Sequence, residues 1–492
     1  MRYDTVRSNW RKWSIPNTQS KTEIQSGDVY WMLAPNMKSA AIQQRLDELD
    51  ANGHAVIINR YADQWDHETM RARLNLWGVP VAQQAVWNHR APLPNHDRYV
   101  RTVTCWVYGS DIVHMGLSTY SSARHMQLQP IQDWNKAPYR RLARIAMKTA
   151  YALGYDTLQV TMQAGGEYVA DLELPAGIMD EPLQGDAVIH AAPITEETGH
   201  AIWRKYIARI KQFGLNHYRA NSQYEKILYG MDCEFLLFDR MREKALNASH
   251  FLPLTGVAGC DAVRRNGRVI YPIMELRPLP APSPRLLIEH LHHAMVEAKI
   301  YITSSKYRNK ISWLGGAYPY GRLPIGCHLH LSGIPYDPEM IRTFDTYLAL
   351  PLALLEPKLE GSRRRPMYGM FGDVRIQDHG GAGGFEYRTL PNFLYTPELA
   401  LDITTLLALL TKHYRKLNRR EATKSEWLHA FMNPAANHHY RRLAVELLEE
   451  VKHIAADVDM KLSVTRLIDL LAHDWTWDER ADIRQNWLTP DK

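Results

Sequence analysis

The stretch GMDCEFLLFD, Gly230 to Asp239, decides the reading of this chain. Successive side chains on a strand point to opposite faces, so a strand here sets Asp232 and Glu234 on one side and Cys233, Phe235 and Leu237 on the other. Three later apolar segments repeat the pattern: PIMELRPLP (Pro272 to Pro280) with Glu275 and Arg277, GCHLHLSG (Gly326 to Gly333) with His328 and His330, and GFEYRTLPN (Gly384 to Asn392) with Glu386 and Arg388. Any one pair alone reads as a solvated strand face. The neighbours Phe235, Met274, Leu276, Leu329 and Phe385 argue against that, because buried charge is costly unless it is paired or metal-bound. If the segments share a sheet, their polar faces line one trough. Carboxylates suit Mg²⁺, an imidazole nitrogen is also acceptable to Mn²⁺, and guanidinium forks suit phosphate, so the pattern points to divalent cations holding a polyphosphate.

At 492 residues the chain exceeds one ordinary core and predicts two or three domains. A net charge of +6 is too mild for this length to argue for nucleic acid, and no zinc-finger or RNA-binding signature directs Arg363, Arg364 and Arg365 to that partner. Cys105, Cys233, Cys260 and Cys327 are scattered without a CxxC pair, which suggests neither a zinc site nor a disulfide framework. No apolar run approaches the roughly 18 residues of a membrane span, and the N-terminus has no signal-peptide core. A cytoplasmic protein without membrane partners is expected.

From about Val29 to Ile178 helical and strand patterns alternate. AAIQQRLDELDANG has helical spacing, HAVIINRY reads as a strand, and a helix through Met70, Leu74 and Leu76 stops at Gly78. YVRTVTCWVYGSDIV predicts two strands joined at Gly109, YRRLARIAMKTAYALG an amphipathic helix ending at Gly154, and DTLQVTMQ with YVADLEL a hairpin turning at Gly165 and Gly166. Thr195 to Lys226 is basic and helical in pattern. Farther on, helices are expected over Ser283 to Ile302 and Asp337 to Leu359, the second capped by Asp337 and kinked at Pro351, and another opens at Thr396 and Pro397.

The helix, strand, turn and LELPAGI at the end of the first part loosely resemble the closing segment of the ATP-grasp fold. Glu173 matches that family's metal-binding acid, but its asparagine falls at Leu174 or Pro175. The resemblance therefore implies a domain without its own metal site, one that recognises a substrate or partner; an unrelated α/β domain is the competing reading.

GMDCEFLLFD resembles the strand that opens the active site of glutamine synthetases. MELRPLP, GCHLHLSG and GGFEYRTLPNFL, in that order, are similar to the phage-type carboxylate-amine ligases, the amidoligase branch of the glutamine synthetase and glutamate-cysteine ligase superfamily. The resemblance spans about Tyr229 to Pro397. It implies an α+β fold, a glutamine-synthetase-like antiparallel sheet with flanking helices, preceded by the ATP-grasp-like α/β domain (1–194) and a helical linker (195–228). The catalytic domain would be 229–397, and a helical C-terminal region (398–492) would pack on it.

The resemblance further implies ATP-dependent ligation through an acyl phosphate. Asp232, Glu234, Glu275, His328 and Glu386 would hold two or three Mg²⁺, with Mn²⁺ as an alternative. Arg388 and one or more of Arg363, Arg364 and Arg365 would bind the transferring phosphoryl group, at least one of the three being surface charge. His330, Arg364 and Arg375 are candidates for nucleotide, His330 equally for substrate, and Arg277 and Arg375 for a substrate carboxylate. Asp261 replaces a glutamate present in some relatives or contacts substrate. The partners would be a carboxylate and an amine, with a peptide or a cell-wall fragment among the candidates, and a homo-oligomer is open. A binding scaffold with decayed nucleotide sites and, less favoured, a guanidino-type kinase are the alternatives.

Overall fold

The computed structural model describes residues 227–488, apart from breaks at 266–267, 304–309, 335, 366, 378, 381–382, 418, 420–421, 423 and 433–437. Before them it describes residues 10–12, 29–33, 55–58, 67–79, 101–119, 127–134, 136–163 and 188–192. The chain divides into two units, Met1–Ser222 and Gln223–Lys492.

In the first unit, Trp10–Lys12, Val29–Leu33 and Ala55–Ile58 form a parallel sheet. A second sheet is antiparallel, in the order Gln127–Pro130, Asp111–Thr119, Arg101–Tyr108, Thr157–Gln163 and Val188–Ala192. The expected pair of strands turns at Gly109, and the helices His67–Leu76 and Ala137–Ala152 stop just before Gly78 and Gly154. Thr157–Gln163 pairs with Val188–Ala192. YVADLEL with Glu173, the helix expected over Ala40 to Gly53 and the basic stretch after Thr195 lie outside the described residues.

The second unit is α+β. Its main strands are β1 (Leu228–Asp239), β2 (Ala258–Arg265), β3 (Arg268–Leu276), β4 (Ile311–Leu314), β5 (Cys327–Ser332), β6 (Val374–Gln377) and β7 (Gly384–Tyr387), and the two-residue strand Lys244–Ala245 folds back on the end of β1. They pair antiparallel in the order β2-β3-β1-β5-β7-β6, with β4 following β5 along β1. One face is apolar throughout: Met231, Cys233, Phe235, Leu237, Met274, Leu276, Leu329, Leu331, Phe385 and Tyr387 are all buried. Burying each large side chain contributes about 1.5–3 kcal/mol, which favours the register that puts this face inward. Helix α1 (Pro284–Thr303) turns Leu287, Leu291, Ala294, Met295, Ala298 and Ile302 inward, at the spacing of one helical stripe. Phe344, at the end of α2 (Pro338–Phe344), meets Phe385 and Tyr387. Among these apolar residues the Cys233 and Cys327 thiols sit opposite one another, Sγ to Sγ 2.9 Å, both free and buried.

Asp337 caps α2 by accepting from the Glu339 N–H, with Pro338 at the first helical position. The kink expected at Pro351 takes the form of a π-helical turn over Asp345–Ala349. Proline lacks an N–H and crowds the carbonyl four residues earlier, and a widened turn relieves both. Helicity then stops after Ala353 and restarts in α3 (Lys358–Arg364) beyond Pro357, so the expected single helix is broken. Thr396 caps α4 (Pro397–His413), and α5 (Ser425–Met432), α6 (His438–Ile454) and α7 (Val458–Ala472) follow.

Beyond α7 the chain returns to β4: the Ile483 N–H donates to the Trp313 carbonyl, and the Trp313 N–H donates to Asp482. Glu479 accepts from the Ala317 and Tyr318 N–H groups, and burial raises its carboxyl to about 8, even though those two donors oppose the shift. A carboxyl raised in the folded state adds stability below its ordinary value of 4.5, and that stability is lost as pH rises through 8. Urea unfolding of wild type and Glu479→Gln across this window should therefore show the wild type losing stability relative to the variant as pH rises. A constant difference would refute the assignment.

Candidate active site

Strand register builds the site. His328 on β5 faces Asp232 on β1, His330 faces Glu386 on β7, Glu386 faces Arg375 on β6, and Glu275 on β3 faces Glu234 on β1. Because side chains alternate with period two, these residues share the face opposite the apolar one. β7 starts at Gly384 because its backbone passes against β5: a Cβ there would lie 2.0 Å from the Leu331 carbonyl oxygen.

At the centre, His328 Nδ1 lies 2.6 Å from Asp232 Oδ1 and 3.1 Å from Glu386 Oε1. Each of the three residues offers one ligand atom, and these atoms lie within 4.8 Å of one another, close enough that one metal ion could be held by all three. Asp232 Oδ1 and His328 Nδ1 are buried and, despite their proximity, neither makes an aligned hydrogen bond. Two such atoms pointing past each other fit a shared cation better than a mutual bond. The electrostatics agree. Burial lowers the His328 pKa, but Asp232 and Glu386 more than offset it and raise the imidazole to about 10. Burial likewise raises Asp232 and Glu386, yet the same imidazole holds both below the usual carboxylate range. These carboxylates demand positive charge at a point where a Mg²⁺ or Mn²⁺ ion would supply it.

The remaining expected residues surround this centre unevenly. Glu234 is buried, accepts from the Gly326 N–H at 2.7 Å and is raised by burial to about 7. Glu275 is held by the Arg277 guanidinium, which also donates to the Cys260 and Gly256 carbonyls. Gly259 makes room for it, since a Cβ there would lie 2.5 Å from Arg277 Nη1. Asp261 lies within β2, on the face of Glu275. His330 contacts Asp232 Oδ2 through Nε2 at 3.1 Å. Arg375 and Arg388 approach opposite oxygens of Glu386, at 3.0 and 3.2 Å.

The arginine triplet at the end of α3 splits three ways, as helical geometry requires of consecutive residues. Arg363 is exposed, and no ion pair with it is found among the described residues. Arg364 is buried beside the centre, donating to the Thr389 and Leu390 carbonyls at 2.9 and 2.7 Å. Arg365 turns into the helical core, paired with Glu356 at 2.7 Å and stacked on Phe431. The structure thus brings Arg364 to the site, but neither Arg363 nor Arg365.

Three further residues at the site, Tyr368, Gln377 and His379, were not expected from the sequence. The Tyr368 hydroxyl contacts His328 Nε2, the nitrogen facing away from the carboxylates, and its ring lies between Arg364 and Arg388. Gln377 donates to Glu386 Oε2 at 2.7 Å, and His379 contacts Gln377, His330 and Ser332. Gln377 and His379 repeat the spacing of two seen in the other pairs, the one cue that could have found them.

Residues 229–489, more than half of the chain, match the family described as phage phiEco32-like COOH.NH2 ligase-type 2. The chain belongs to this family. The match includes the helical C-terminal stretch as well as the sheet. Solved structures similar to this ligase-family chain include a bifunctional glutathione synthetase from Pasteurella multocida, at 11% identity and a TM-score of 0.34, with 56% of this chain and 49% of that chain covered. Another is the complex between the prokaryotic ubiquitin-like protein Pup and its ligase PafA, at 10% and 0.36, with 50% and 62% covered. A third is the GmaS/ADP complex, at 14% and 0.25, with 61% and 76% covered. The chain spans about half of the first structure's length. No curated protein matches it. Among the described residues no helix is long and apolar enough to cross a membrane.

Proposed function

We propose that the protein is an ATP- and Mg²⁺-dependent ligase that joins a carboxylate to an amine through an acyl phosphate. The observation that carries this reading is the convergence of Asp232, His328 and Glu386 on one point, flanked by Arg375 and Arg388, in a member of a carboxylate-amine ligase family. A carboxylate is a poor electrophile; moving the γ-phosphoryl group of ATP onto it creates a leaving group. That transfer needs positioning and charge neutralisation more than covalent help.

Bound divalent cations would neutralise the triphosphate oxygens, held by Asp232, His328 and Glu386, with Glu234 and Glu275 alongside. Arg388, half-buried beside Glu386, would grip the transferring phosphoryl group, and the more exposed Arg375 a carboxylate at the rim. Tyr368 fixes the ring of His328 by engaging its far nitrogen, as outer-sphere partners of metal-binding histidines do. Arg364 stacks on the Tyr368 ring and holds the backbone at Leu390. The N-terminal residues 1–194 are assigned to an ATP-grasp-like domain that recognises substrate, joined by 195–228. Substrates larger than one amino acid, such as a peptide or a cell-wall fragment, suit a protein with so much additional surface.

The test is incubation with ATP, Mg²⁺ or Mn²⁺, a pool of amino-blocked amino acids and peptides, and hydroxylamine. Hydroxamate and phosphate should appear together, and only with metal. Tight ATP binding without turnover would favour the scaffold reading, and phosphorylation of a nitrogen without phosphate release would favour the kinase.

A further inference from the structure

An amine reaches an acyl phosphate as an ammonium ion and has no lone pair to attack with until a proton is removed. Within the ligase reading, on which this inference rests, the centre itself cannot serve: Asp232 and Glu386 are engaged with His328 and the arginines. One side chain farther out lies His379. It has a φ of 47°, a left-handed conformation that a non-glycine residue adopts at a cost. That backbone lays the imidazole over Gly384, where a Cβ would come within 2.8 Å of Nδ1.

The surrounding bonds assign the protons. A Glu386 carboxylate oxygen can only accept, so Gln377, bonded to it at 2.7 Å, presents its NH₂ there and its carbonyl oxygen to His379 Nε2, also at 2.7 Å. His379 Nε2 must therefore carry a hydrogen. His330 agrees: its Nε2 donates to Asp232, leaving Nδ1 as an acceptor 3.5 Å from His379 Nε2. In neutral His379 the basic lone pair is then on Nδ1, where the Ser332 hydroxyl lies 3.0 Å away. His330, Ser332 and Gln377 face the ring, and the carboxylates of Asp232 and Glu386 lie one side chain beyond.

We propose that His379 is the proton acceptor for the incoming amine, with the Ser332 hydroxyl as the relay. One ammonium N–H bond breaks and its proton passes to Ser332 Oγ as the hydroxyl's own proton passes to His379 Nδ1. The freed lone pair forms the C–N bond, the acyl carbon–oxygen bond breaks, and its electron pair leaves with the phosphate. The second nitrogen proton ends on that phosphate. The imidazolium so formed keeps its Nε2–H on Gln377.

The test compares two nucleophiles on the same protein, using ATP, Mg²⁺ and the blocked amino acid and peptide pool. Methylamine is protonated at neutral pH and needs the acceptor; hydroxylamine is largely unprotonated and does not. His379→Ala should lower methylamide formation by about 10²–10⁴-fold, the usual range for losing a general base, while hydroxamate formation stays within a few-fold of wild type. Ser332→Ala should show the same selectivity with a smaller loss, and it replaces the first variant if that one fails to fold. Equal loss with both nucleophiles overturns the proposal in favour of a structural role, and no loss with either overturns it outright. Wild-type protein that makes no hydroxamate removes the ligase reading, and this proposal with it.

Discussion

Replacing Glu386 with glutamine is expected to reduce metal-dependent turnover about 10²–10³-fold, the loss typical of removing one preorganised charged group from a site of this kind. Its carboxylate meets four partners: one oxygen faces His328 and Arg388 at 3.1 and 3.2 Å, the other faces Arg375 and Gln377 at 3.0 and 2.7 Å. Glutamine keeps the shape but presents an NH₂ where every neighbour is a donor or a cation. It also removes one of the negative charges that hold the imidazole proton, and the same charge would hold a divalent ion. Mn²⁺ affinity, read by titration, should fall with turnover while the far-UV spectrum is unchanged. A variant within threefold of wild type would remove Glu386 from the site.

Arg365→Ala is expected to cost about 3–5 kcal/mol of stability, because it strands a buried charge. Glu356 is 3% exposed, and burial raises its carboxyl even with Arg365 and Arg364 opposing the shift. Removing the guanidinium also takes away its stacking on Phe431, 4.3 Å from the ring centroid. The double change Arg365→Met with Glu356→Gln should recover much of the loss, since replacing both partners of a buried pair is often near neutral. Urea unfolding measures both. Turnover per folded molecule of Arg365→Ala, taken at low temperature, should stay near wild type; a loss of tenfold or more would restore the phosphoryl-binding role that the sequence suggested.

Strand periodicity made the trough legible before any coordinates. Asp232, His328 and Glu386 face one way because alternation is a local property of extended backbone, and the apolar partners Phe235, Leu329 and Phe385 specify which way is inward. Caps at Asp337 and Thr396 were equally local. The arginine triplet was not, because the rotation of α3 is set by what Glu356, just before the helix, and Phe431, from a distant helix, offer to Arg365. Tyr368 reaches the site from an irregular segment with no repeating pattern to read, and His379 lies beyond the end of β6, where its spacing of two from Gln377 is the only cue. Their positions depend on contacts with His328 and Gly384 that only the folded sheet creates. Glu275 shows an intermediate case: its face was predictable, but its engagement with Arg277 depends on the absence of a side chain at Gly259 on the next strand.

The return of residues 482–484 to β4 bears on how this protein can be handled. Arg484 and Ile483 occupy the carbonyls of Ile311 and Trp313 along an edge that β1 leaves open. An uncovered edge of that kind invites strands from neighbouring molecules. Shortened chains that end before this segment would therefore be prone to clumping through β4 even with every metal-facing residue intact, and a purification tag placed after it is safer than a cut made within it.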